Sequence, residues 1–231
     1  MNDIEILYED KHILAACKPA GLLSEEGRSA NVVTVLKQQM GLETLLTVHR
    51  LDRDVSGVML FAKHQGAASE LAKKIAERNI TKEYLAVVHG VPDEKSGRFD
   101  DLLFKDSSVN KSFVVNRARV GTRRAILDYE LIATAQYEGK SVSLVKISLE
   151  TGRTHQIRVQ FSHRKMPLIG DGRYGGRERV PIALRSSHVA LRHPFTKKKI
   201  DIVCAPDKSL APWSAFADTV DFERLFDKYN G

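Results

Sequence analysis

Short apolar runs separated by polar turns are the feature that most limits what this 231-residue chain can fold into. The runs predict strands over residues 4–8, 13–17, 83–89, 123–133 and 141–149. Helical spacing of apolar residues occurs at 67–78 and at 31–40, where Asn31 is a candidate N-cap and Gly41 a stop. A short amphipathic helix is expected after Pro212. The pattern therefore favours one α+β domain built on an antiparallel or mixed sheet.

Composition excludes several protein classes and leaves charge as the first indication of a partner. No apolar run approaches the ~20 residues that span a bilayer, and the N-terminus lacks the pattern of a secretory signal. Lys and Arg number 36 against 29 Asp and Glu, a net charge of +7. Residues 110–124 carry five basic side chains and no acid, which suits RNA or DNA phosphates. Cys17 and Cys204 are expected to be reduced core residues of a cytoplasmic protein.

The segment 48–57 places four charged groups and a histidine just before the apolar run 58–62. A carboxylate at Asp52, between two arginines, would stay ionised because a neighbouring guanidinium favours the charged form. Such a group near a cleft can act as a nucleophile or a base. The alternative is a structural Asp–Arg pair that only fixes a turn.

Two further segments carry polar residues of interest. Tyr84 lies in a predicted strand, where a tyrosine is most often a core residue but can also stack on a base. Thr154 is a candidate N-cap for a helix that runs through Phe161. Arg158 would then lie beside the apolar stripe of that helix, partly buried, and would need an anionic partner. The glycine-rich segment 167–176 has no phosphate-loop spacing and is expected to be an irregular packed loop.

Together these segments resemble the RluA-type RNA pseudouridine synthases. The resemblance rests on HRLDRDVSGVMLFAK at 49–63, KEYLAVVHG at 82–90 and LETGRTHQIRVQFSHRKMPLIGDGRYG at 149–175. ILYEDKHILAACKPAGLLS at 6–24 and HPFT at 193–196 add weaker support. The matching segments follow one another in order over most of the chain, and the first and third are very specific to that family.

The resemblance implies an enzyme that isomerises chosen uridines in ribosomal or transfer RNA to pseudouridine without metal or cofactor. Asp52 matches the family's catalytic aspartate, which attacks C1′ or removes a ribose proton. Arg158 matches the arginine that pairs with this aspartate, and Tyr84 the tyrosine that lies against the target base. Arg50 matches a residue that fills the space left by the flipped uridine, and flipping itself costs a few kcal/mol.

The same resemblance implies one catalytic domain over 1–231, with a mixed, mostly antiparallel sheet flanked by helices and loops around a basic RNA-binding cleft. A monomeric, cytoplasmic enzyme without an N-terminal S4-like domain or a membrane partner is expected. The residues expected to bind RNA are Arg50, Arg53, Arg117, Arg119, Arg123, Arg124, Arg153, His155 and Gln156. The sequence departs from the family pattern at Asp54-Val55 and at Leu184-Arg185-Ser186, which leaves details of the pocket open.

Two other functions stay open on the residues alone. A nucleoside or glycoside hydrolase would use Asp52 at an anomeric carbon and would need a second carboxylate, for which Asp54 and Asp171 are the candidates. An RNA chaperone or ribosome-assembly factor would keep the fold without turnover. A chaperone should tolerate Asp52→Asn, whereas a synthase should lose its activity.

Overall fold

The protein, described by a computed structural model over residues 3–229, combines strands with a few short helices. The strands are β1 Ile6–Glu9, β2 Ile13–Lys18, β3 Leu46–Thr47, β4 Ser56–Ala62, β5 Ile80–His89, β6 Ser96–Asp106, β7 Lys111–Val115, β8 Thr122–Tyr137, β9 Lys140–Leu149, β10 Leu184–Arg192 and β11 Lys199–Val203. The α-helices are α1 Val32–Met40, α2 Gln65–Ala76 and α3 Gln156–His163. The α+β class is therefore confirmed. Within residues 3–229 no helix is long and apolar enough to cross a bilayer.

The described residues divide into two compact units. Unit 1 comprises residues 3–82, 185–206 and 222–229, and unit 2 comprises residues 83–184 and 207–221. In each unit the named strands pair in antiparallel fashion, except β4 and β10 of unit 1, which pair in parallel. This matches the mixed, mostly antiparallel sheet that the sequence predicts. A single catalytic domain over 1–231 stays a prediction.

Unit 1 is a sheet in the order β1-β2-β4-β10, with β3 on β4 and β11 on β10. Its core is aliphatic, and α2 contributes Ala67 and Leu71 to it. Helix α1 confirms the predicted cap and stop, because the Asn31 side chain accepts the Thr34 N–H and Gly41 adopts a left-handed conformation. Helix α2 begins two residues before its predicted start because the ring of His64 caps it by accepting the Ala67 N–H.

Unit 2 is an antiparallel sheet in the order β5-β9-β8-β6-β7. Strands β8 and β9 confirm the strands predicted over 123–133 and 141–149, and both extend to the turn at Glu138-Gly139, where each residue has a positive φ. Strands β6 and β7 were not predicted from the sequence. Phe161 of α3 packs edge-on against Phe99, which fixes the helix on the sheet.

Two local predictions were wrong. Thr154 is not the N-cap of α3, because His155 takes a left-handed conformation (φ 54°) and the helix begins after it without a side-chain cap. The segment after Pro212 is not one amphipathic helix but two short 3₁₀ segments, Trp213–Phe216 and Arg224–Tyr229. The apolar residues of that segment are buried in different units, so they cannot form a single apolar stripe along one helix.

Gly57 is the residue of unit 1 whose replacement we expect to be most disruptive to backbone geometry. It has a φ of 113°, and a Cβ there would overlap the backbone of Ser186, its partner across the β4–β10 pairing. Gly57→Ala should lower the free energy of unfolding by more than about 1 kcal/mol, measured by urea denaturation. Gly27→Ala is the matched control, because Gly27 has open space and no positive φ. Equal stability of the two variants would contradict this account.

Candidate active site

The Asp52 loop, residues 48–55, connects β3 to β4 in unit 1 and is held at several backbone positions. The Ser24 hydroxyl donates to the Leu51 carbonyl at 2.6 Å and accepts the Leu51 N–H at 3.0 Å. The Val55 N–H closes a turn onto the Asp52 carbonyl at 3.1 Å. Leu51 and Val55 are buried, whereas the Asp52 side chain between them is half-buried. The loop therefore holds one carboxylate on a fixed backbone with partial access to solvent.

Lys18 anchors the other side of this loop. It is fully buried at the end of β2, and its Nζ donates to the carbonyls of Pro19, Leu22 and Arg53 at 2.8–3.0 Å. The Arg53 carbonyl also accepts the Gly21 N–H at 2.8 Å. Three carbonyl acceptors match the three N–H donors of an ammonium group, so the buried group is fully satisfied. Sequence reasoning missed this residue, although a lysine that ends an apolar strand directly before Pro19 was a usable signal.

The charge of Lys18 also matters for the loop. Burial lowers the pKa of Lys18 to about 8, and the negative charges of Asp54 and Asp52 oppose that shift. Lys18 therefore places a buried positive charge near Asp52 and Asp54 in unit 1.

The neutral form of His49 holds the start of the Asp52 loop in place. Its Nε2 accepts the Leu60 N–H at 2.9 Å, which requires an unprotonated nitrogen. Desolvation of the ring, with a smaller contribution from the charge of Lys82, lowers the pKa of His49 to about 3. His49 therefore acts as a hydrogen-bond acceptor that ties the loop to β4 across the physiological pH range.

Arg158 of α3 forms a buried ion pair within unit 2. Its Nε and Nη2 donate to the two carboxylate oxygens of Asp171 at 2.7 and 2.8 Å, and both side chains are at most 4% exposed. The sequence argument for a buried arginine that needs an anion is thus confirmed, and Asp171 supplies one. The segment 167–176 has no regular secondary structure around this carboxylate, as expected. The pairing of Arg158 with Asp52 stays a prediction.

The polar residues His155 and Gln156 at the start of α3 are buried and hydrogen-bonded within unit 2. The His155 ring contacts the Tyr174 hydroxyl at 3.0 Å, and that hydroxyl accepts the Ser112 N–H at 2.8 Å. Gln156 accepts from the Thr151 hydroxyl at 2.8 Å and donates to a backbone carbonyl of β8. These bonds shape the turn into α3. RNA binding by His155 and Gln156 stays a prediction.

Tyr84 lies in β5, opposite Ile147 of β9, and its side chain is largely buried. Its neighbour Glu83 is also buried and accepts from the Ser148 hydroxyl at 3.2 Å. Alternation along the strand places these two side chains on opposite faces of the sheet of unit 2. The role of Tyr84 at a target base stays a prediction.

The basic residues predicted to bind RNA are mostly exposed. In unit 1, Arg50 lies 3.3 Å from Glu25, and Arg53 donates to the Gly21 carbonyl at 2.9 Å. In unit 2, Arg117, Arg119, Arg123, Arg124 and Arg153 are all exposed. Two of these have partners of note: Arg119 stacks over the Phe104 ring at 4.0 Å, and Arg124 forms a bidentate pair with Asp100.

One group of residues among 3–229 has a composition and spacing that could hold a metal ion, and it consists of Glu5, Cys17 and Cys204. These residues lie in unit 1. Arg185, one of the residues at which the sequence departs from the family pattern, donates to both sulfurs.

Comparison with known proteins identifies the family. A family model described as RNA pseudouridylate synthase matches residues 12–163, more than half of the chain. The chain belongs to this family. It is 32% identical over 231 residues to tRNA pseudouridine synthase C of Yersinia pestis, covering 91% of this chain and 88% of the relative. It is 33% identical over 204 residues to ribosomal large subunit pseudouridine synthase D of the same organism, covering 85% and 60% respectively.

The fold agrees with the family assignment. The solved structure of human RNA pseudouridylate synthase domain containing 1 superposes with a TM-score of 0.77 at 24% identity. The match covers 91% of this chain and 86% of that structure. The pseudouridine synthase fold predicted from the motifs is therefore confirmed. Membership of the RNA pseudouridylate synthase family makes the chain an enzyme of the isomerase class.

The Arg158–Asp171 pair should carry a large share of the stability of unit 2. Asp171→Asn keeps the shape but leaves a buried guanidinium without its anion, so the free energy of unfolding should fall by about 3–5 kcal/mol. Asp128→Asn makes the same chemical change at the exposed partner of Arg98 and should cost far less. Chemical denaturation of both variants measures the difference, and similar losses would show that burial does not set the strength of these pairs.

Proposed function

We propose that this member of the RNA pseudouridine synthase family converts a uridine of ribosomal or transfer RNA to pseudouridine, with Asp52 as its catalytic carboxylate. The observation that carries the proposal is the HRLD motif, whose aspartate is half-buried on a loop anchored by Ser24 and Lys18. The named substrates of two relatives, a transfer RNA and large-subunit ribosomal RNA, support the substrate class.

The reaction breaks the N1–C1′ bond of the uridine, turns the base and joins C5 to C1′. No electrons are gained or lost overall, so the isomerisation requires no redox partner. Asp52 serves either as the nucleophile at C1′ or as the base that removes a ribose proton, and both routes need its ionised form. Lys18 places a buried positive charge near this carboxylate. A backbone held by several hydrogen bonds limits the motion of the carboxylate during turnover.

Tyr84 and Arg158 are proposed to assist Asp52 in the roles that the resemblance implies. Tyr84 would lie against the target base, where an aromatic ring offers a stacking surface. Arg158 would stabilise an anion, and its guanidinium is already oriented by Asp171. An arginine with an oriented guanidinium loses little conformational freedom when it binds a further anionic group.

Exposed arginines of unit 2 are proposed to bind the RNA backbone, in addition to Arg50 and Arg53 of unit 1. Arg117 and Arg123 belong to the acid-free stretch 110–124, and their side chains are exposed. Arg123 donates to the neighbouring Thr122 carbonyl at 3.0 Å. Phosphate contacts of this kind give affinity without sequence specificity. A monomer that acts in the cytoplasm, where ribosomal and transfer RNA are found, is part of the same proposal.

The catalytic assignment is tested by Asp52→Asn. The variant should lose at least ~10²-fold in the rate of pseudouridine formation, because an amide is neither a base nor an equivalent nucleophile. Asp54→Asn is the matched control, two residues away on the same loop and exposed, and it should retain activity. The measurement is pseudouridine mapping of total RNA from cells that lack the gene, complemented with each variant.

The same variants separate the two competing functions. A glycoside or nucleoside hydrolase with Asp52 and Asp54 as its carboxylate pair would lose activity in both variants and would release a free base. An RNA chaperone would rescue growth equally well with Asp52→Asn. Pseudouridine that returns with wild type and with Asp54→Asn, but not with Asp52→Asn, supports the synthase assignment alone.

The RNA surface is tested by charge reversal. Arg117→Glu combined with Arg123→Glu should raise KM and reduce the slope of log K against log salt by about 1–2, because two phosphate contacts are lost. Lys73→Glu combined with Lys74→Glu, on α2 of unit 1, makes the same change in net charge at a helix surface outside the proposed interface. Filter binding across a salt series measures both slopes. Equal effects of the two double variants would mean that only net charge matters.

A further inference from the structure

Two cysteines far apart in the sequence are brought together in unit 1. Cys17 lies near the end of β2 and is half-buried, and Cys204 follows β11 and is buried. The two sulfurs and a Glu5 carboxylate oxygen all lie within 4.8 Å of one another. Both cysteines are free thiols rather than a disulfide. The sequence-based expectation that both cysteines are reduced agrees with this. The sequence did not indicate that the two residues lie close together.

Arg185 joins the two thiols. Its Nη2 donates to the Cys17 sulfur at 3.1 Å and to the Cys204 sulfur at 3.0 Å. Its Nε donates to the Cys204 carbonyl at 2.9 Å, and its Nη1 to the Ser56 hydroxyl at 3.3 Å. These bonds fix the guanidinium in one orientation, with a positive charge against both sulfurs. A cation in this position stabilises a thiolate, the form of cysteine that reacts.

The environment divides the two thiols into a thiolate and a thiol. A hydrogen bond from Cys204 is the main cause that lowers the pKa of Cys17 to about 6, and Arg185 contributes to the shift. Burial and the charge of Glu5 oppose it. The same hydrogen bond, together with burial, raises the pKa of Cys204. Cys17 also has the greater access to solvent, so the more reactive sulfur is the one that a small reagent can reach.

The group formed by Glu5, Cys17 and Cys204 is better suited to oxidation of its cysteines than to the binding of a metal ion. Cys17, Cys204 and Glu5 would supply three ligands, but the guanidinium of Arg185 already contacts both sulfurs. A cation bound there would be repelled by this charge at close range. A thiolate with an adjacent cation and a second thiol is instead the arrangement of a redox-active pair.

We propose that Cys17 and Cys204 form a peroxide-sensitive dithiol, in which Cys17 is the residue oxidised and Cys204 is the residue that resolves it. The proposal concerns a modification site in unit 1 and does not depend on the identity of the RNA substrate. It makes Arg185 a positioning residue for the thiolate.

The chemistry requires hydrogen peroxide as the oxidant. The Cys17 thiolate attacks one peroxide oxygen, the O–O bond breaks, and hydroxide leaves, so that the sulfur is oxidised by two electrons to a sulfenic acid and the peroxide is reduced. The Cys204 sulfur then attacks the sulfenic sulfur. The S–S bond forms as the S–O bond breaks, and the hydroxyl leaves as water with the Cys204 proton. An external dithiol returns both residues to thiols.

The first test is the pH dependence of Cys17 alkylation by iodoacetamide in the native full-length protein, followed by peptide mass spectrometry. The alkylation rate should rise with a midpoint near pH 6, since the thiolate is the nucleophile. Arg185→Gln should move the midpoint upward and slow the reaction at pH 6 by about tenfold. Arg185→Lys keeps a positive charge, so its midpoint and its alkylation rate should lie between those of wild type and those of Arg185→Gln. A wild-type midpoint of about 8.5, the value of an ordinary thiol, would overturn the proposal.

The second test identifies the product of hydrogen peroxide. The intact mass of the wild-type protein should fall by the mass of two hydrogen atoms, and dithiothreitol should restore the original mass. Cys204→Ser should instead accumulate a sulfenic acid at Cys17 that dimedone traps, and Cys17→Ser should stay unmodified at the same peroxide concentration. Oxidation of Cys204 in the Cys17→Ser variant at the wild-type rate would overturn the assignment of roles. Stoichiometric Zn²⁺ binding by wild type that blocks alkylation would show a metal site instead.

Discussion

The buried ammonium of Lys18 is the constraint on which the Asp52 loop depends. A charged group without access to water must find partners within the protein, and here three backbone carbonyls supply them. One of these carbonyls belongs to Arg53, directly after Asp52. The requirement to satisfy a lysine at the end of β2 therefore determines the backbone path of a loop more than thirty residues later in the chain.

Unit 2 solves a similar problem with a side-chain anion instead of carbonyls. Arg158 is nearly as buried as Lys18, and a bidentate carboxylate from Asp171 matches the planar geometry of its guanidinium. In both units a buried cation is held by two or more hydrogen bonds to oxygen acceptors. Burying these cations costs free energy of desolvation. In return, the charged group keeps one orientation, which is what an active site requires.

Local features were the most predictable from the sequence. Helix α1 begins and ends where Asn31 and Gly41 indicate, because caps act over a few neighbouring residues. Strands β8 and β9 contain the runs predicted over 123–133 and 141–149, because the alternation of side chains is a local pattern along each strand. The start of α3 was missed because His155 adopts a left-handed conformation that the residue type does not favour. The tail after Pro212 was missed because its apolar residues are buried in two different units.

The sequence by itself determined the family and the identity of the candidate catalytic residue, because both are written in contiguous motifs such as HRLDR at 49–53. Only the tertiary structure decided which groups lie beside which across long separations in the chain. Asp171 is the anion of Arg158, Lys18 anchors the Asp52 loop, and Arg185 joins Cys17 to Cys204. No local pattern encodes these contacts, because each depends on how separate strands and loops pack around a buried charge.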